Sequence, residues 1–112
     1  MSNPSKTKGT AAETAVVTYL SERGWPHAER RALHGNTDKG DVTGIPGVVV
    51  EVKNHKSHAF PEWVREAEKE KTNAAAEVAV AWAKIRGTTD PGKWVVAMSG
   101  AQFVALLKAA GW

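Results

Sequence analysis

The run Val48–Lys53, read Val-Val-Val-Glu-Val-Lys, constrains this chain more than any other stretch. It follows the turn-forming triplet Ile45-Pro46-Gly47, and its β-branched residues predict a buried strand. Side chains alternate along a strand, so Glu51 and Lys53 point to one side while Val50 and Val52 point to the other. An apolar strand therefore ends with a carboxylate and an ammonium on the same face. Burying such charges is costly unless they are paired or ligate a metal.

A second carboxylate, Asp41, lies in Gly40-Asp41-Val42, ten residues before Glu51. If the two strands are neighbours, Asp41, Glu51 and Lys53 converge. Phosphodiester hydrolysis uses a divalent metal to neutralise phosphate charge and to lower the pKa of an attacking water. Mg²⁺ binds oxygen, usually one or two carboxylates plus waters and substrate phosphate. Asp41 and Glu51 are ligands of that type, and the Val52 carbonyl between Glu51 and Lys53 is a further candidate. Lys53 would orient the water or stabilise charge in the transition state. The expected chemistry is metal-dependent phosphodiester cleavage.

A third carboxylate, Glu13, stands three residues after Thr10 at the margin of an apolar helix face. The spacing fits a capping box with Thr10 and fits a metal ligand equally well.

The chain has 112 residues, enough for one compact domain and not for two. Residues 1–7 are expected to be a loose tail and residues 8–112 the domain. Apolar residues make up 42% and no run approaches the length of a membrane span, so no membrane partner is expected. No signal-peptide pattern is visible, and there is no cysteine; both fit a cytoplasmic protein, of a bacterium or of a host cell if phage-encoded. The net charge of +3 leans toward a nucleic-acid partner. The five tryptophans are read first as packing anchors and second as base-stacking groups.

A helix is expected from about Lys8 to Arg23, with Ala12, Ala15, Val16, Tyr19 and Leu20 on its apolar face. Strands are expected at His27–Ala32, Asp41–Thr43, Val48–Lys53, Val78–Ile85 and Trp94–Met98. A helix follows Pro61, with Trp63, Ala67, Glu70 or Lys71, and Ala74 facing inward. A closing helix, Ala101–Ala110, is expected to pack through Phe103, Leu106 and Leu107. The order αβββαββα implies an α/β domain, a mixed central β-sheet flanked by helices.

On these residues the chain resembles the PD-(D/E)XK nuclease superfamily, specifically the small Holliday-junction resolvases of archaeal and phage type. The resemblance rests on Lys8-Gly9-Thr10-Ala11-Ala12-Glu13 continuing to Gly24-Trp25, on Gly40-Asp41-Val42, and on Glu51-Val52-Lys53. It spans roughly Lys8 to Met98. It implies a restriction-endonuclease-like fold, with Glu13, Asp41 and Glu51 as acidic site residues and Lys53 as the catalytic lysine. It further implies Mg²⁺ with Mn²⁺ as substitute, branched DNA as substrate in recombination, and a homodimer that cuts two strands. Gly40 departs from the proline found in many members; glycine is expected to permit the same turn.

Phosphate contacts are expected from cations around that centre: Lys8, Arg30 or Arg31, His34, Lys39 and Lys56. Adjacent strand residues face opposite ways, so only one of Arg30 and Arg31 is expected to face DNA. His58 is a further candidate in the loop after Lys53. Glu66 and Glu70, one turn apart on the second helix, either reach the site from behind or pair with Lys69 and Lys71. The alternatives are a nuclease for flaps, nicks or duplex, and a non-catalytic nucleic-acid-binding protein of the same fold.

Overall fold

Helix α1, Pro4–Ser21, lies against one face of a five-stranded sheet, and helix α2, Phe60–Asn73, lies against the other. The structure is a computed structural model that describes residues 4–31 and 39–112. The strands are β1 (Glu29–Arg30), β2 (Val42–Thr43), β3 (Val48–Lys53), β4 (Val78–Ala83) and β5 (Val95–Ala97), and helix α3 (Gly100–Ala109) follows the last. They are ordered β1-β2-β3-β4-β5 across the sheet. All neighbours are antiparallel except β3 and β4, which are parallel. A parallel pair needs a long crossover, and α2 supplies it. The result is a compact α/β domain with a mixed sheet.

The parity of β3 divides the core. Val50 and Val52 pack with Val42 beneath Ala12, Val16 and Leu20 of α1. Val49 packs under Ala67 of α2, and Ala79 lies beside it; further along β4, Ala81 and Ala83 meet Trp63. The small alanines on this face of β4 let α2 approach the sheet closely. Each fully buried valine contributes about 1.5–3 kcal/mol through removal of apolar surface from water.

Several element ends differ from the sequence expectation. Helix α1 begins at Pro4, so residues 4–7 are helical and Thr10 lies inside the helix rather than capping it. The ladder of β1 holds Glu29–Arg30 only, and β4 ends at Ala83 instead of Ile85. Helix α2 stops at Asn73 because Ala75 takes a left-handed φ of 52°, a common helix exit.

Helix α3 departs most. Its expected packing residues Phe103, Leu106 and Leu107 are 45%, 37% and 38% exposed. The buried residue is Gln102. Its Oε1 accepts from the Ala79 N–H at 2.7 Å and its Nε2 donates to the Ala79 carbonyl at 2.8 Å. The β4–β5 register stops at Ala81↔Ala97, so Ala79 has no strand partner on that edge. The carboxamide supplies both missing hydrogen bonds. The Ser99 hydroxyl accepts from the Gln102 N–H and caps the helix. Among the described residues, no helix is long and apolar enough to cross a membrane.

Candidate active site

The chain after Thr43 returns through a tight turn to β3. Gly44 faces the His27 carbonyl and the Ala28 Cα so closely that a Cβ would collide with backbone. On the other side of β2, Gly40 has φ +98°, and a Cβ there would meet Val49 Cγ1 at 2.9 Å and the Val50 carbonyl oxygen at 3.2 Å. Gly40 thus presses against β3 and delivers Asp41 beside it. Proline holds φ near about −65°, so it cannot adopt this conformation. The expectation that glycine here permits the same turn as proline is overturned: the turn used is a glycine turn.

Asp41 is clasped by both neighbours. Its N–H donates to the Val50 carbonyl at 2.9 Å, and its carbonyl accepts from the Arg31 N–H at 2.8 Å. The register pairs Val42 with Val50 and leaves Asp41 just before β2, where its charge and that of Glu51 both act on Lys53. The Asp41 carboxylate then turns along the strand, and its Oδ2 accepts from the Val52 N–H at 2.8 Å. β2 has ended there, and the carboxylate takes up a backbone donor that the ladder leaves.

Glu51 is buried at 8% exposure, beneath the α2 side of the sheet. Lys53, two residues on, projects the same way. Its Nζ lies 3.7 Å from Glu51 Oε1 and donates to Glu66 Oε2 at 2.7 Å. It also sits 6.0 Å from the centre of the Trp63 ring. Burial pushes the Lys53 ammonium toward a lower pKa, but the hydrogen bond to Glu66 and the charges of Glu51, Glu66 and Asp41 outweigh it. The net shift is upward, and Lys53 is a cation at neutral pH. As an ammonium it can stabilise anionic charge.

Asp41, Glu51 and Lys53 therefore meet at the end of β3, with Glu66 of α2 as a fourth member. The sequence reading offered Glu66 and Glu70 two roles, and the structure divides them. Glu66 reaches Lys53, whereas Glu70 is buried under α2 and Lys71 pairs with Glu68 at 2.6 Å. The signal was present: Glu66 falls one helical turn after Trp63 and one before Glu70, on the flank of the inward face.

Glu13 is elsewhere. It stands on α1, over the opposite face, and accepts from Arg30 Nε at 3.0 Å; Arg30 Nη2 also reaches Thr10 Oγ1 at 3.4 Å. Arg30 pairs with Val42 and bonds Glu13 of α1, while the Arg31 N–H bonds the Asp41 carbonyl. Arg31 and Lys39 line a shallow cleft with Thr43 and Ala76. Lys56 is exposed on the loop after Lys53. His34 lies outside the described residues, and of Lys8 only the backbone, within α1, is described. His55 and His58 pack against Trp63, tilted and edge-on respectively, with ring centroids 5.3 and 5.9 Å away.

No protein-family model matches this chain, and neither a curated protein nor a solved structure matches it.

The donor set bears on a metal. Among the described residues, no group of three or more His, Asp or Glu side chains is arranged to hold an ion. Asp41 and Glu51 are two hard carboxylates whose charges both act on Lys53, with the Val52 carbonyl on the strand between Glu51 and Lys53. That set fits Mg²⁺, which retains water and binds substrate phosphate alongside one or two carboxylates. It does not fit a metal that demands a full protein cage.

Proposed function

We propose that this protein is a metal-dependent DNA endonuclease of the PD-(D/E)XK superfamily, with a restriction-endonuclease-like fold, and that it resolves branched DNA such as Holliday junctions. The observation that carries this reading is the meeting of Asp41, Glu51 and a charged Lys53 at the end of β3. Asp41 and Glu51 would hold Mg²⁺ or Mn²⁺, with the Val52 carbonyl beside them. When bound, the metal supplies charge neutralisation and a water of lowered pKa. Lys53 presents its ammonium to the scissile phosphate and stabilises the charge that develops there. Glu66 holds that ammonium in place. Arg31, whose N–H bonds the Asp41 carbonyl, supplies a phosphate contact. Glu13 pairs with Arg30 on the α1 side of the sheet and is not counted among the ligands.

A resolvase cuts two strands, so a second copy of the chain belongs to this reading. The apolar residues left exposed on α3 and β5, among them Phe103, Val104 and Val96, suit burial against such a copy. The deciding experiment incubates the purified protein with four-way junction, duplex and single-stranded DNA, with Mg²⁺ and with chelator. Metal-dependent cutting of the junction is expected. Cutting of none of the three sinks the enzyme reading. Equal cutting of duplex sinks the resolvase reading and leaves a general nuclease. Binding without cutting favours a non-catalytic nucleic-acid-binding protein.

A further inference from the structure

The parallel strands β3 and β4 end side by side, and the Lys84 N–H donates to the Lys53 carbonyl at 2.8 Å. Ligands of open α/β sheets gather outside the carboxyl ends of such strands. A groove of about 720 Å³ opens there, lined by Asn54, Lys56, Lys84, Arg86, Thr88 and Thr89 among others. Three of those six are cations, and none is a carboxylate. Among the described residues, Lys56, Lys84 and Arg86 make no ion pair with an acid.

The far wall is prebuilt. Trp94 Nε1 donates to the Thr88 carbonyl at 3.0 Å, and Trp82 Nε1 donates to the Pro91 carbonyl at 3.1 Å. Two indoles thus hold the loop that follows β4. Lys84, which lines the groove, holds its Nζ over the Trp94 ring, 5.8 Å from its centre. The nearest acid of that loop, Asp90, accepts from the Gly92 N–H at 2.9 Å and so is turned into its own turn.

We propose that this groove binds the sugar-phosphate backbone of the DNA strand immediately beside the scissile phosphate, with Lys84 and Arg86 as its principal phosphate contacts and Lys56 as a third. The inference rests on the nuclease reading for the identity of the ligand. It moves the main phosphate contacts away from the residues preceding Asp41 and onto the loop after β4. Asn54, which follows Lys53 directly, lines the groove, so the groove opens at the same end of β3 as Lys53.

The test is binding without chemistry. A labelled four-way junction is titrated by fluorescence anisotropy in chelator over a range of salt, with the wild type, Lys84→Ala/Arg86→Ala, and a control Lys69→Ala/Lys108→Ala. The first double variant is expected to bind on the order of tenfold more weakly, with a salt slope shallower by about two. The control, whose net charge change is the same, is expected to stay within about twofold. Arg86→Gln, at an exposed position, tests the same point where the double variant is misfolded by circular dichroism; its slope is expected to fall by about one. Unchanged affinity and slope in the groove variants overturns the proposal. So does equal competition by inorganic phosphate at the DNA's phosphate concentration, which marks a small-anion site. A wild type that binds DNA through Lys84 and Arg86 but cuts nothing keeps the groove and removes the nuclease. A wild type that cuts, with groove variants that bind normally, removes the groove alone. A wild type that does not bind DNA removes both.

Discussion

The two sides of the sheet's parallel centre are built on different logic. At the end of β3, charged groups sit where burial is expensive, and each is over-determined. Asp41 is fixed by two backbone hydrogen bonds and one side-chain bond, and Lys53 is held between Glu51 and Glu66. On the β5–α3 side, apolar groups sit where water is, and a single buried carboxamide, Gln102, bonds the helix to β4. Cost runs opposite to chemistry in both places. Charge held in a half-dry rim and apolar side chains left in solvent are the two features on which the proposed metal-and-phosphate site and the proposed second copy rest.

The largest effect that tests this contrast is at the charged rim. Asp41→Asn, Glu51→Gln and Lys53→Met are each expected to lower metal-dependent DNA cutting by about 10²–10³-fold or more, measured in single-turnover assays, while junction binding persists. Loss of binding together with loss of folding would instead assign these residues a structural role. The raised pKa of Lys53 adds a sign: its ion pairs stabilise the fold fully below the ordinary lysine range, and that stability fades as pH rises through the raised value. Thermal melts of wild type and Lys53→Met should converge only in strong alkali.

Next is the turn that delivers Asp41. Gly40→Ala is expected to cost about 1–3 kcal/mol, from its left-handed backbone and the contact with Val49, and Gly40→Pro more than that. Chemical denaturation measures both. A proline variant as stable as wild type would show that this loop can adopt a proline turn as well.

On the other side, Gln102→Leu leaves the Ala79 N–H and carbonyl without their present partners, a loss of about 2–4 kcal/mol. Leu107→Glu, at an exposed position, is expected to change monomer stability by about 0.5 kcal/mol or less while shifting a dimer to monomer in light scattering. A monodisperse wild-type monomer at high concentration rejects the second copy. The smallest effect belongs to Glu13→Gln, which breaks a partly exposed pair with Arg30 worth about 0.2–1 kcal/mol. A loss of cutting as large as that of Glu51→Gln would return Glu13 to the site.

Much of this was legible in the residues themselves. The β-branched run, its bounding turn and the parity of Glu51 and Lys53 determined strand β3 end to end, because strand periodicity is local. The apolar spacing of α1 and the Trp63, Ala67 and Glu70 face of α2 were local in the same way. What only the tertiary structure decided was every pairing between elements. Register put Arg31 beside Asp41 and sent Arg30 to Glu13. The crossover brought Glu66 to Lys53 from thirteen residues away in the chain. Gln102 was hidden because a buried carboxamide has no periodic signature, and its need arose from a ladder that β5 leaves short. Sequence determined which charges the chain would have to place; the fold determined which of them meet.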